Sequence, residues 1–433
     1  MAGGLMQLVA YGAQDVYLTG NPKVTFFQAV YKRHTNFSQE TIEQTVNGTA
    51  ANDGRVSVTV ARNGDLVGEM YLELTTVATL TSETSATDCN WVAERAVKDV
   101  ELSVGGQRLD KIYQKWWRLY AELYLDASAK QNWAKMTTGI AGAASKVYLP
   151  LIFAFNTNPG LALPLIALQY HEVRLDFDLA SDFETYFTTS GLKVWANYFY
   201  LDTEERRRFA QKGHEYLITQ VQHTGVDSVT DNGSKNVRLS LNHPVKELVW
   251  CFGAASPTKS SLWNFSGDQS LAGVILESDP SQTDATSNTF VSPADIGCPL
   301  VKFGLNGSGK LLRERGATNS TNASGPLSEF RLILNGQDRM KSMSGEYFNS
   351  VQAAQHHSGS PMPGVYSYSF ALKPEEHQPT GTCNFSRIDN AQVAVTLKDT
   401  ATAGSTTTAM SLFAVNYNVL RVQSGMGGLS FSS

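Results

Sequence analysis

Val100-Glu-Leu-Ser-Val-Gly-Gly-Gln107 can be laid on Phe330-Arg-Leu-Ile-Leu-Asn-Gly-Gln337, an offset of 230. Apolar positions 100, 102 and 104 then fall on 330, 332 and 334. Each run alternates as a half-buried strand should, and each closes on a turn signal, Gly105-Gly106 or Asn335-Gly336. A bulky aromatic pair follows each, Trp116 and Trp117 in one case, Tyr347 and Phe348 in the other. Two more blocks keep the same order. Leu149, Leu151, Phe153 and Phe155 can be laid on Tyr366, Tyr368, Phe370 and Leu372, an offset of 217; Val173, Leu175 and Phe177 meet Val393, Val395 and Leu397, an offset of 220. The shift varies modestly, as loop insertions would cause. A period of this length is too long for a solenoid and predicts a tandem duplication, two similar domains in one chain.

The rest of the chain supports strands. Val56–Val60, Met70–Leu74, Val173–Leu179 and Val393–Leu397 alternate, with Asn63-Gly64 and Asn158-Pro159-Gly160 as punctuation. Helical signal is confined to Lys111–Asp126, which is aromatic-rich, and to Asp202–Phe209, where acids precede bases as the helix dipole favours. Each copy has the size of an eight-stranded double-sheet jelly roll. The expected fold is therefore all-β: two tandem eight-stranded antiparallel jelly rolls with a short N-terminal arm. We expect the arm at 1–26, the first roll at 27–212 and the second at 213–433. The arm is interrupted by Gly12, Gly20 and Asn21-Pro22, with room for one helical turn. Leu5, Leu8, Val9, Tyr11, Val16, Tyr17 and Leu18 need a surface to cover, either the arm's own domain or a neighbour. The longest loops, at 256–327 and 400–409, are rich in Ser, Thr, Asn or Gly and belong to one exposed end of the second roll.

Composition narrows the function. The 433 residues are 42% hydrophobic, 10% aromatic and only 17% charged, where about 25% charge is ordinary. Disorder, coiled coil and an ordinary helical enzyme do not fit; a β-rich protein with a neutral-polar or largely covered surface does. A net charge of −5 leaves no basic surplus for coating phosphates, so no direct nucleic-acid binding is expected. No apolar run reaches transmembrane length and Met1–Met6 lacks the features of a signal peptide, so synthesis in a cytosol is expected. Cys89, Cys251, Cys298 and Cys383 form no CxxC pair and read as free thiols.

Chemistry is hard to find. Gly304–Lys310 matches seven positions of a P-loop, but Leu311 stands where Ser or Thr should hold magnesium. There is no Gly-x-Ser-x-Gly elbow and no HExxH. His356-His357 is the one histidine pair, and neighbours on a strand point to opposite faces, which is poor for one metal. Glu204-Glu205 beside Arg206-Arg207-Arg208 reads as an ion cluster. No catalytic residue, cofactor or metal is expected. Sequons at Asn264, Asn306, Asn319 and Asn322 lie in the long second-copy loops and are the candidate glycan attachment points; those at Asn36, Asn47, Asn232 and Asn384 lie elsewhere. A lectin-like jelly roll would show aromatics on exposed loops, and Trp263 with Phe265 is the obvious pair.

Longer blocks carry a resemblance. Gly3–Pro22, Thr25–Phe37, Arg62–Asp65, Gly105–Arg108, Pro159–Glu172, Asn335–Arg339, Ser369–Pro374, Gly381–Asn390, Asn416–Arg421 and Ser424–Leu429 run end to end in family order. The sequence resembles the major capsid proteins of large icosahedral double-stranded DNA viruses, especially those infecting algae. The resemblance implies a double jelly roll, a homotrimer forming a pseudo-hexagonal capsomer, and many capsomers tiling a shell. It implies an arm beneath the rolls on the side facing the virion interior, and second-roll loops forming the outer tower. Implied partners are neighbouring capsomers, minor capsid and penton proteins, with an inner face turned to an internal membrane. The implied location is the virion, with synthesis and assembly in the host cytoplasm. Relatives carry glycans at non-standard Asn contexts, so the sequon rule is a weak guide here. A minor capsid paralogue and a glycan-binding, lectin-like protein are the alternatives.

Overall fold

The computed structural model describes residues 3–80, 82–83, 86–87, 91–140, 142–229, 233–253, 262–263, 265, 304–305, 311–312, 325–398 and 409–431. Eight strands of five or more residues form the first sheet pair: β1 Phe37–Gln44, β2 Arg55–Thr59, β3 Leu66–Thr75, β4 Val97–Val104, β5 Gln107–Tyr113, β6 Lys146–Pro150, β7 Val173–Leu179 and β8 Lys193–Leu201. One sheet runs β1-β8-β3-β6 and the other β2-β7-β4-β5, with short strands added at Leu163–Pro164 and Val46–Asn47. The second pair holds β9 His214–Ser228, β10 Ser234–Leu239, β11 Pro244–Gly253, β12 Leu327–Leu334, β13 Gln337–Asp338, β14 Val365–Ser369, β15 Ala391–Leu397 and β16 Ala409–Gln423. Its sheets run β9-β16-β11-β14 and β10-β15-β12-β13. Strand for strand, the second order is the first advanced by eight. This is one jelly roll built twice.

The two opening runs are β4 and β12, and their turns are alike. Gly105 and Gly106 stand at φ 58° and 83°, Asn335 and Gly336 at φ 50° and 80°. Both pairs are left-handed, as a two-residue turn matched to strand twist requires. Val104 pairs with Gln107, and Leu334 with Gln337.

Register corrects one expectation. Leu175 pairs with Leu102, and Val393 pairs with Leu332. Since Leu102 and Leu332 correspond, Leu175 corresponds to Val393, an offset of 218 instead of 220. A slip of two residues keeps every side chain on its face, so alternation cannot detect it. In the other block Leu149 pairs with Leu72, and Tyr366 with Trp250.

The helical expectation over Lys111–Asp126 also shifts. β5 continues to Tyr113, with Lys111 paired to Glu101 in the ladder. The arm holds α1 Gly3–Val9 and α2 Val16–Thr19, neither with a buried residue. In the body α3 Gln114–Tyr124 and α4 Ala127–Thr137 are inserted between β5 and β6, and α5 Thr203–Gln211 lies between β8 and β9. A π-turn at Tyr347–Val351 leads into α6 Gln352–His356 between β13 and β14.

Two apolar clusters form the core. One lies inside the second roll, around Trp250, Phe330, Phe348 and Leu412. The other fills the first roll, around Leu72, Trp117 and Phe177, and takes in Val249, Cys251, Val365, Phe413, Val415 and Val422 from the outward face of β11, β14 and β16. Those strands are therefore covered on both faces. That is why Leu412–Val415 is apolar without alternation.

Candidate functional site

The seam between the rolls holds a row of polar contacts between the two halves of the chain. It is built by the end of β5 and the start of α3, whose Tyr113 phenol and Trp116 indole meet β16. Trp116 lies 5.6 Å from the Phe413 ring, and Tyr113 lies 6.1 Å from it. Lys115 Nζ donates to Ser411 Oγ at 3.1 Å. Lower down, His171 Nδ1 and the Gly427 carbonyl are 2.9 Å apart, and Leu429 N donates to Gln107 Oε1 at 3.2 Å. Ser358 Oγ donates to the Tyr124 carbonyl at 3.0 Å, and Gly359 N to that of Leu123 at 2.9 Å.

Two charge clusters flank the seam. In the first, Arg118 stands 3.2 Å from Glu94 and 3.2 Å from Glu122, all three buried. Its Nη1 contact to Glu94 lies at ion-pair distance but off the hydrogen-bond line. The guanidinium also sits 4.1 Å over the Trp91 ring. Trp133 Nε1 donates to Glu94 at 2.7 Å. Lys130 Nζ reaches Glu122 at 3.1 Å and donates across the seam to the Ser360 carbonyl at 2.6 Å. Burial pushes the Glu94 carboxyl up; Arg118 and Trp133 oppose it. Arg118 and Lys130 face the two acids, and the buried Arg95 adds its attraction on Glu94; such pairing is the condition for burying charge at all.

In the second, the buried His357 ring meets Glu247 through Nε2 at 3.3 Å and Glu375 through Nδ1 at 3.3 Å. Burial pushes Glu247 up to about 7 against the attraction of His357. Glu375 is lowered: burial raises it, but hydrogen bonds from His357 and Ser358 outweigh that. Neighbouring Lys246 donates to the Pro374 carbonyl at 2.7 Å, and burial brings its ammonium down to about 8. Tyr124 of α3 packs edge-on to His357 at 5.4 Å. Among the described residues no group of His, Cys, Asp and Glu is arranged to hold a metal ion.

The sequence candidates fall variously. His356-His357 is at the end of α6, not on a strand, and His357 is an ion-pair partner. Trp263 and Phe265 are not exposed but buried, at 3% and 1%. Gly364 makes room for Phe265 at φ +90°, where a Cβ would come within 1.9 Å of the Phe265 carbonyl oxygen. Arg206 pairs at 3.0 Å with Asp65, not with the adjacent glutamates. In the P-loop-like run, Leu311–Leu312 is a strand paired with Gly304–Leu305, where a P-loop would start a helix. Cys251 and Cys383 are free thiols, and burial pushes Cys251 up to about 11; Cys89 and Cys298 lie outside the described residues. So do Asn264, Asn306, Asn319 and Asn322. Leu5, Leu8, Val9, Tyr11, Val16 and Tyr17 are all exposed. No described helix is long and apolar enough to cross a membrane. Sequence reasoning missed the seam charges. The unbroken apolar stretches of β11 and β16 were the available signal.

Comparison with known proteins follows the same two halves. A family model described as large eukaryotic DNA virus major capsid protein matches residues 205–428, and one described as major capsid protein N-terminus matches 25–202. The major capsid protein of Paramecium bursaria Chlorella virus 1 is 43% identical over 469 residues, covering 100% of each chain. That of Pyramimonas orientalis virus is 40% identical over 471 residues, again 100% of each. The crystal structure of PBCV-1 VP54, fitted into a reconstruction of the virophage Sputnik, aligns at a TM-score of 0.74 and 37% identity over 94% of this chain and 100% of that one. Faustovirus major capsid protein shares the fold at a TM-score of 0.67 and 12% identity, over 97% and 96%.

Proposed function

Because this chain belongs to the major capsid proteins of large eukaryotic DNA viruses, a virion shell component and not an enzyme, we propose that three copies associate into a pseudo-hexagonal capsomer. The observation that carries this is the repeated strand order, β1-β8-β3-β6 and β9-β16-β11-β14, on one fused core. A trimer of such chains presents six similar corners. Capsomers then tile by weak lateral contacts with no catalytic step, and low surface charge suits faces buried against copies. We further propose the division into arm 1–26, first roll 27–212 and second roll 213–433, which is supported by the family models parting between 202 and 205.

In the same proposal the arm docks the capsomer on an inner layer of minor capsid proteins near an internal membrane, penton proteins close the vertices, and assembly occurs in the host cytoplasm. The second-roll loops form the outer tower, with Asn264, Asn306, Asn319 and Asn322 as glycan candidates. A lectin-like role loses its sign with the burial of Trp263 and Phe265. Native mass spectrometry tests the capsomer: the purified chain should read three times 47.3 kDa, and a monomer at micromolar concentration overturns it.

A further inference from the structure

β14 ends at Ser369, and the chain leaves the sheet as a strap, 371–380, before Cys383 pairs with Val245 of β11. Apolar packing does little to hold the strap: Leu372 is 75% exposed, and only Ala371 and Pro374 of its residues are buried. Polar contacts hold it instead. Lys246 Nζ donates to the Pro374 carbonyl at 2.7 Å, Ser358 N donates to Glu375 Oε1 at 2.9 Å, and His357 Nδ1 reaches the same oxygen at 3.3 Å. His356 Nδ1 lies 3.1 Å from the Leu372 carbonyl. Each anchor comes from the start of β11 or from the end of α6 and the residues just after it.

Beneath the strap, Glu247 is fully buried, and among the described residues neither of its oxygens finds a hydrogen bond; its contact is His357 Nε2 at 3.3 Å. His357 thus stands between two carboxylates, one buried and one on the strap. Its two nitrogens satisfy both only if the Glu247–His357 pair carries a proton. With Nδ1–H given to Glu375, loss of that proton leaves the Nε2 lone pair facing a buried anion, which is costly. The nearby cation is Lys246, 6.0 Å from the Tyr124 ring centre and 5.8 Å from that of Tyr417. Tyr120 and Tyr124 of α3 and Tyr417 of β16 bring only phenols. Lys373 and Glu376 pair with each other at 2.7 Å, His377 is exposed, and beyond Ser360 Lys130 pairs with Glu122. Lys246 and Glu375 balance, so the cluster is neutral with the proton and negative without it.

We propose that the strap 371–380 is a proton-operated latch over the end of the seam: one proton shared by Glu247 and His357 holds it shut, and loss of that proton frees it, baring Tyr124 and Lys246 to water. Burial pushes Glu247 up to about 7; His357 opposes this and Glu375 adds to it. With the strap open, water reaches that carboxyl and it titrates near about 4. The closed form therefore binds the proton more tightly, and closure weakens as the pH rises through about 7. Glu375 acts on the other side. Its carboxyl is lowered, burial being outweighed by hydrogen bonds from His357 and Ser358, so its hold is lost only as the pH falls through that lowered value. Lys246, brought down to about 8 by burial, remains a cation through the step at Glu247. The strap is held best in mild acid.

Hydrogen–deuterium exchange on the full-length chain tests the latch. The N–H groups of Ala371, Leu372 and Lys373 are bonded in the closed form to Lys246 and Thr380. After correction for intrinsic exchange, they should lose protection about tenfold or more between about pH 5.5 and about pH 8, while β11 and β16 keep theirs. Glu247→Gln, uncharged at every pH, should stay protected at both. Glu375→Gln, which removes the charge at the strap's end of the contact, should exchange fast at both. A wild-type strap equally protected at the two pH values, or the same pH response in Glu247→Gln, overturns the latch. So does a loss shared by β11 and β16, which is unfolding of the sheet. If Glu247→Gln does not fold, the wild-type profile and Glu375→Gln decide the matter.

Discussion

Asp110, midway along β5, accepts the backbone N–H of Val221 at 3.1 Å, on the edge strand β9 of the other roll. Beside it Gln220 donates from its side chain to the Leu109 carbonyl. An edge strand offers unpaired N–H groups to any passing chain, and here part of one edge is consumed by the chain's own first roll.

Burial pushes the Asp110 carboxyl up to about 7, against the N–H groups of Val221 and Lys111 that favour its charge. The folded chain therefore holds this proton to higher pH than the unfolded chain, whose Asp titrates near about 4. The contribution is whole below about pH 4 and is lost as the pH rises through about 7. Asp110→Asn keeps an acceptor and should flatten that slope in guanidinium midpoints between these pH values. Asp110→Ala should cost about 1–3 kcal/mol by orphaning Val221. An unchanged slope in the Asn variant would count against the assignment.

Arg118 neutralises two buried carboxylates, Glu94 and Glu122. Arg118→Met should destabilise by about 3–5 kcal/mol, because the acids remain without their partner. Adding Glu94→Gln should recover part of the loss. Melting temperatures within the scatter of surface variants would show the cluster to be unimportant.

Asn335 holds a left-handed conformation and accepts the Asn390 N–H at 3.1 Å through Oδ1. Asn335→Ala should cost about 2 kcal/mol, roughly half from the backbone and half from the bond. Asn335→Gly should cost less. Equal melting points for Ala and Gly would remove the backbone share of this account.

Gly364→Ala adds a Cβ against the Phe265 carbonyl at a backbone angle suited to glycine. The expected cost is about 2 kcal/mol or more, with Trp263 moving toward water. A red shift in tryptophan emission checks this, and an unaltered spectrum with unaltered stability contradicts it.

Deleting residues 1–26 removes the exposed apolar side chains from Leu5 to Phe26. We expect trimers of normal stability that fail to form shells. Normal particles from such a chain would sink the docking role of the arm.

The architecture could be read from Val100–Gln107 and Phe330–Gln337 because strand alternation and turn chemistry are local. What could not be read depends on partners far apart in sequence. Glu94, Arg118 and Lys130 look like surface residues until the seam closes over them. His357 looks like a weak metal ligand until Glu247 and Glu375 flank it. Trp263 and Phe265 looked like loop aromatics because nothing nearby in sequence announces the space that Gly364 clears. The offset of 218 escaped for a simpler reason: period-two patterns are blind to even slips.

One core runs through the first roll and under the second-roll sheet that holds Val249 and Phe413. A chain so joined has no hinge between its halves. Bending the rolls apart would expose Trp116, Phe413 and the charges beside them. The curvature that closes a shell must therefore be taken up between molecules, at their rims, while each molecule keeps one angle wherever it sits.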